Sequence, residues 1–194
     1  MIKLLEEVFF WNLFRSLMNK FFGIYSIRIN KMKEWGVGEC NSFLDIACGS
    51  GHYSILAKKN YLGVDLSGKY IDYATKKYGT ESKKFVQKNI LNLDFKKKFD
   101  QTLMVGILHH LNDNDALFLL KKISFMADKF YFFEPISDQK KLIARIMIKL
   151  DRGKFIRPEF KLTEIILVYF EIYEKAFIDL NGINTIAYYL KRKI

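Results

Sequence analysis

The residues best placed to do chemistry lie in the run Phe43-Leu44-Asp45-Ile46-Ala47-Cys48-Gly49-Ser50-Gly51. An apolar strand there carries an acid near its end, and two glycines follow at the turn into a helix. Glycine at such a turn lets a ligand approach the backbone. A dinucleotide site wants a third glycine three residues on, but that position is Ser54, so G-x-G-x-x-G fails. Asp45 argues the same way, because a carboxylate repels a pyrophosphate resting at a helix N-terminus. It suits a ligand carrying an ammonium and a sulfonium. A second acid, Asp65, ends the run Tyr61-Leu62-Gly63-Val64-Asp65, twenty residues beyond the first. A carboxylate fixed at a strand tip can accept hydrogen bonds from both hydroxyls of a ribose, although a lone strand-end Asp is usually just a helix cap.

Leu44-Asp45-Ile46-Ala47-Cys48-Gly49-Ser50-Gly51 resembles the L-D-x-G-C-G-x-G motif of class I S-adenosylmethionine-dependent methyltransferases. Ala47 replaces the usual first glycine, a small-for-small change that slightly tightens the turn and still admits the methionine part of the cofactor. The plain alternative is a glycine turn that packs a helix on a strand. The resemblance implies S-adenosylmethionine as cofactor, held at Asp45, Ala47, Cys48, Gly49 and Gly51, with Asp65 on the ribose and Leu66 beside it. Phe85-Val86-Gln87-Lys88-Asn89-Ile90 resembles the family segment in which an acid or amide meets the adenine amino group and the next backbone amide meets the ring. This implies Asn89, which can accept through its carbonyl oxygen, and Ile90; the alternative for Asn89 is a turn residue after the third strand.

Phe99 to Asp113 is similar to the F-D-x-V…L-H-H-L segment of the small-molecule and lipid-quinone branch of the family. That similarity implies that Gly106 and Ile107 line the cofactor with backbone and that His109 and His110 lie near the methyl group. The stretch contains neither N-P-P-Y nor D-P-P-Y, and no Pro-Cys nucleophile occurs, which argues against methylation of the amino nitrogens of adenine and glutamine and of cytosine carbon-5. Transfer from a sulfonium mainly needs donor and acceptor held in line with water excluded. An acceptor hydroxyl also needs a base, a role that suits histidine. His109 and His110 are therefore candidates for a base or an acceptor-orienting group, with a structural cap of the loop as an equal alternative. His52 is assigned to the cofactor turn.

These residues need strand ends to hold them. From Phe43 short apolar runs alternate with helical patterns, the mark of parallel strands joined by crossover helices. Strands are predicted at Ser42–Ala47, Tyr61–Val64, Lys84–Gln87, Asp100–Val105 and Phe130–Glu134. Helices are predicted near His52–Lys59, Lys69–Tyr78, Asp115–Met126 and Asp138–Leu150, with Ser67 and Asp113 as caps. Two earlier helices, Leu4–Met18 and Ile24–Trp35, precede the sheet. The tail reads as a short helix after Thr163 and then a hairpin of Phe170–Ile178 and Thr185–Leu190 around Asn181-Gly182-Ile183-Asn184. The expectation is an α/β, Rossmann-like, doubly wound sheet, mostly parallel, which the resemblance extends to seven strands with a C-terminal antiparallel hairpin. Residues 1–38 form a helical cap and 39–194 the core of one domain. Ligands in such a fold bind at the carboxyl ends of the strands.

Composition narrows the partners. Cys40 and Cys48 are too few for a disulfide framework and lack the pairing of a zinc site, which fits a reducing cytoplasm. No metal is expected. The start of the chain carries Glu6 and Glu7 where a signal peptide is basic, so a soluble, cytoplasmic protein is expected. The net charge of +11 raises association with any polyanion, but the basic residues are scattered rather than clustered. Nucleic acid is therefore disfavoured as a partner, and a small-molecule or lipid-like acceptor preferred. An RNA methyltransferase, a nucleotide-dependent oxidoreductase and a non-catalytic cofactor-binding or scaffold protein are the rivals. Phe9, Phe10, Trp11 and Phe14 offer a dimer face, a peripheral contact with membrane lipid or, by default, core packing. In Asp151-Arg152-Gly153-Lys154-Phe155-Ile156-Arg157, similar to a D-R-G-x-x-x-R stretch in this branch, the charges either pair internally to order a lid or meet an anionic acceptor. Glu134 either faces the substrate cleft or caps a loop.

Overall fold

The structure, a computed structural model, describes residues 23–93, 98–139, 145, 153–180 and 183–193. The predicted first helix, its aromatics Phe9, Phe10, Trp11 and Phe14, Asp151, Arg152, the Asn181-Gly182 turn and most of the predicted Asp138–Leu150 helix lie outside these residues.

Helix α1 (Ile24–Glu34) leads into strand β1 (Ser42–Ile46), β2 (Asn60–Asp65), helix α2 (Gly68–Tyr78), β3 (Lys83–Gln87) and β4 (Phe99–Val105). Helix α3 (Asp113–Ile123), β5 (Ala127–Pro135), helix α4 (Glu159–Leu167), β6 (Phe170–Leu180) and β7 (Ile183–Arg192) complete the order. The seven strands form one sheet in the order β3-β2-β1-β4-β5-β7-β6. The first five are parallel, and β7 runs antiparallel to both β5 and β6. This is the expected Rossmann-like sheet with its antiparallel hairpin.

Period-2 alternation explains why both faces are covered, since successive strand side chains point to opposite sides. Leu44, Ile46, Met104, Phe130 and Phe132 pack with Leu119 and Leu120 of α3 and Ile165 and Ile166 of α4. Phe43, Leu103, Tyr131 and Phe133 pack on the other face with Met32 of α1 and Ile71 and Ala74 of α2. Such strands, apolar on both sides, are what a covered parallel sheet requires.

Local chemistry sets the helix ends. Ser67 caps α2 by accepting from the Tyr70 amide, as the sequence predicts. At α3 the cap is Asn112, which accepts from the Asp115 amide, and not the predicted Asp113. Asp113 is the first helical residue and pairs with Arg157. The helix predicted over His52–Lys59 is a 3-10 turn, His52–Leu56, because Ala57 is already extended. Thr163 lies inside α4 rather than before it. Among the described residues, no helix is long and apolar enough to cross a membrane.

Candidate active site

The strand order reverses between β1 and β4, with Ile46 opposite Met104. The turns leaving these strands, 47–51 and 106–111, therefore flank the switch point, where an open α/β sheet binds its ligand. Asp65 stands at the end of the next strand, one step beyond the pair Ile46 and Val64. The cofactor candidates of the first two strands and the histidine pair thus lie at one edge of the sheet.

The first turn is built from left-handed backbone. Ala47, Gly49 and Gly51 have φ of 58°, 53° and 75°. Among the described residues Ala47 is the only non-glycine with positive φ. An L-residue pays about 1–2 kcal/mol for that conformation, so Ala47→Gly is expected to raise stability by about 0.5–1 kcal/mol after the added freedom of the unfolded chain is counted. Urea denaturation checks this, with a higher midpoint expected for the variant. Gly51 is fixed by packing: an added Cβ would stand 2.7 Å from Phe85 and 2.9 Å from Ala74. Its missing side chain seats the turn on β3 and α2, a packing role of the kind set out above as the alternative to ligand approach. Gly63 serves the same end on β2, where a Cβ would stand 2.8 Å from Cys48 Sγ.

Asp65, part-buried at the tip of β2, braces this turn. Its Oδ2 accepts from the Gly49 amide at 2.8 Å and its Oδ1 from the Ser67 amide at 2.9 Å. A carboxylate has about four acceptor sites, so both oxygens keep capacity for further donors. Leu66 beside it is exposed, while Cys48 is buried and its thiol is held protonated, first by burial and then by the nearby Asp45 and Asp65.

Asp45 is buried and accepts from the Tyr61 hydroxyl at 2.7 Å. Burial, reinforced by the charge of Asp65 and opposed by the Tyr61 hydrogen bond, raises its pKa from 3.8 to about 7. A carboxyl whose pKa is raised on folding adds stability that is complete below the unfolded value and is lost as pH rises through the folded one. The ligand-free protein is therefore expected to have a Tm several degrees lower at about pH 8 than at about pH 5, and Asp45→Asn is expected to remove much of that difference. Thermal scans of both proteins at the two pH values check it.

The adenine candidates occupy the turn after β3. Asn89 Oδ1 accepts from the Leu91 amide at 2.9 Å and caps the 3-10 turn Ile90–Asn92, where Ile90 is buried. The side chain is thus oriented by the turn, and its oxygen keeps a second acceptor site.

At the β4 turn, Gly106 has a φ of 66° and its amide donates to Phe133 O. The amides of Ile107 and Leu108 donate to Glu134 Oε1 at 2.8 and 2.9 Å, and His109 Nδ1 lies 2.9 Å from Glu134 Oε2. The amides of Gly106 and Ile107 are thus committed to β5. His109 is buried, whereas His110 is exposed, with ring centroids 4.2 Å apart. Glu134 caps this loop, the second of its two expected roles. Arg157 pairs with Asp113, the internal arrangement expected of its charged stretch.

Three features escaped the sequence: the Tyr61–Asp45 bond, the triple acceptor role of Glu134, and Gln101, which accepts from Gly38 N and donates to Gly36 O to hold the approach to β1. A buried polar residue in an otherwise apolar strand was the available signal for Gln101.

Residues 43–126 match the family model described as a methyltransferase domain. No curated protein matches the chain. In fold it is similar to magnesium protoporphyrin IX methyltransferase from Synechocystis PCC 6803 with bound S-adenosylhomocysteine, at 18% identity and a TM-score of 0.69 over 88% of this chain and 83% of that one. It is similar to the N-methyltransferase NodS of Bradyrhizobium japonicum WM9, at 11% identity and a TM-score of 0.71 over 88% of each chain. It is also similar to an S-adenosylmethionine-dependent methyltransferase of Clostridium acetobutylicum ATCC 824, at 16% identity and a TM-score of 0.67 over 93% and 98%.

Proposed function

We propose that the chain, whose residues 43–126 match the methyltransferase-domain family model, transfers the methyl group of S-adenosylmethionine to an oxygen, nitrogen or carbon of a small-molecule or lipid-like acceptor. The observation that carries this reading is the placing of Asp45, the 47–51 turn and Asp65 on one side of the switch point and the 106–111 turn on the other. One side suits a cationic nucleoside ligand, and the other is left for the acceptor.

In this reading Asp65 accepts from the ribose hydroxyls with the lone pairs not given to Gly49 and Ser67, and Leu66 covers the adenine. Asn89 and Ile90 meet the adenine edge, and Gly106 lines the methionine side. Asp45 supplies negative potential behind Ala47, Cys48, Gly49 and Gly51 for an ammonium group, which would also draw its carboxyl toward the ionised form. S-adenosylmethionine supplies an electrophilic methyl on a sulfonium, so the protein's task is alignment and exclusion of water. His109, buried against Glu134, shapes the acceptor wall, and the exposed His110 is the better placed to accept a proton or orient the acceptor. The protoporphyrin for which one structural neighbour is named is a small-molecule acceptor, which agrees with this assignment.

Methyl-labelled S-adenosylmethionine, offered with separate panels of phenols, amines, carboxylic acids, quinol lipids and total RNA, tests the proposal. Label is expected in one small-molecule or lipid panel. Label in RNA alone, or tight cofactor binding with transfer to none, would overturn it in favour of an RNA methyltransferase or a non-catalytic binder.

A further inference from the structure

The turn 106–111 is gripped from two sides. Glu134 of β5 takes the Ile107 and Leu108 amides and His109 Nδ1, as described. From the other side the segment 153–157 crosses the turn as a strap. The Phe155 amide donates to His109 O at 2.9 Å. Gly153 lies so close to the imidazole that a Cβ there would overlap its Cδ2. Ser137 N donates to Arg157 O at 2.9 Å, which ties the strap to the loop after β5.

Arg157, only 7% exposed, makes the grip. Its Nη1 donates to Leu108 O at 2.8 Å and Phe155 O at 3.1 Å, and its Nη2 to Leu111 O at 2.7 Å. Nε and Nη2 both reach Asp113 Oδ1, at 2.9 and 2.7 Å. One planar fork thus joins both ends of the histidine turn, the strap and the start of α3. Lysine, a point charge with three donors, cannot span these acceptors. Apolar packing would hold a loop with less desolvation cost than a buried guanidinium, so the arrangement favours fixed geometry over simple adhesion.

We propose that Arg157 is a positioning residue for the acceptor side of the site: it locks the turn so that His109 keeps one tautomer, with its Nδ1 proton on Glu134, whether or not the cofactor is bound. A carboxylate oxygen can only accept, which fixes the proton on Nδ1 and makes Nε2 the basic nitrogen. The inference rests on the proposed function only in taking this turn as the acceptor wall. Arg157 donates to none of the cofactor candidates, and Gly106, the one candidate in this turn, is held by its own amide bond to Phe133 O, so cofactor affinity should not depend on Arg157.

The test is nitrogen-15 histidine NMR of the full chain at about pH 8, free and saturated with S-adenosylhomocysteine, beside calorimetry with that ligand. Wild type is expected to show His109 with a single protonated Nδ1 in both states. Glu134→Gln, which offers an amide donor to that nitrogen, is expected to move the proton to Nε2 and marks the alternative signal. Arg157→Lys is expected to give mixed or exchange-broadened tautomers while S-adenosylhomocysteine affinity stays within about twofold. A wild-type proton on Nε2, an unchanged single tautomer in Arg157→Lys, or a parallel fall of about tenfold in ligand affinity overturns the proposal. Failure of wild type to bind the ligand defeats the methyltransferase reading instead, and the tautomer of Arg157→Lys still decides the lock.

Discussion

Glu134→Ala is expected to lower the stability of the protein by about 3–5 kcal/mol and its Tm by roughly 10 °C. The side chain is 1% exposed and is bonded to two backbone amides and one imidazole nitrogen. Alanine leaves all three without their partner, the Leu108 amide and the imidazole buried and the Ile107 amide part-buried, and each buried unsatisfied group costs about 1–3 kcal/mol. Glu134→Gln separates this from a general loss of packing. Its carbonyl oxygen can still accept from Ile107 and Leu108, so only the His109 contact must rearrange, and a loss of about 1 kcal/mol is expected. Denaturant titration of both variants measures the difference. Equal losses would mean that the Glu134 bonds to the two amides contribute little.

Asp65→Ala is expected to weaken S-adenosylhomocysteine binding by at least tenfold, about 1.4 kcal/mol. The proposal gives that carboxylate the ribose hydroxyls, and hydrogen bonds to a charged acceptor are the strong ones. Part of the loss would come through the 47–51 turn, because Gly49 loses the acceptor that orients its amide. Asp65→Asn keeps one carbonyl oxygen and should fall between wild type and alanine. Calorimetry on the three proteins gives the order; an alanine variant that binds like wild type would remove Asp65 from the site.

The sheet and the edge that carries the candidate site were legible because they rest on local patterns. Alternation in Phe43-Leu44 and Phe130-Tyr131-Phe132-Phe133 assigns alternate side chains to opposite faces, and Gly49 and Gly51 mark the turn. The strain at Ala47 was only partly legible: the substitution for glycine was visible, but its left-handed φ belongs to the folded turn. What escaped the sequence joins distant residues. Asp45 meets Tyr61 across neighbouring strands, Glu134 reaches back to a turn 25 to 27 residues earlier, and Arg157 reaches Asp113 over 44 residues. Side chains of these types are ordinary strand-end acids and surface cations until the register brings them together. The misplaced cap at α3 has a smaller cause: Asn112 and Asp113 are both good capping residues, and only the observed bond from Asp115 N to Asn112 Oδ1 separates them.

Calorimetric titration of the wild-type protein with S-adenosylhomocysteine, with NAD as the comparison ligand, decides which cofactor the strand ends take. Saturable binding in the micromolar range, about −8 kcal/mol, is expected, with no heat from NAD, whose pyrophosphate has no third glycine to receive it and would face Asp45. Absence of S-adenosylhomocysteine binding, or preference for NAD, would remove the methyltransferase assignment and leave only the fold.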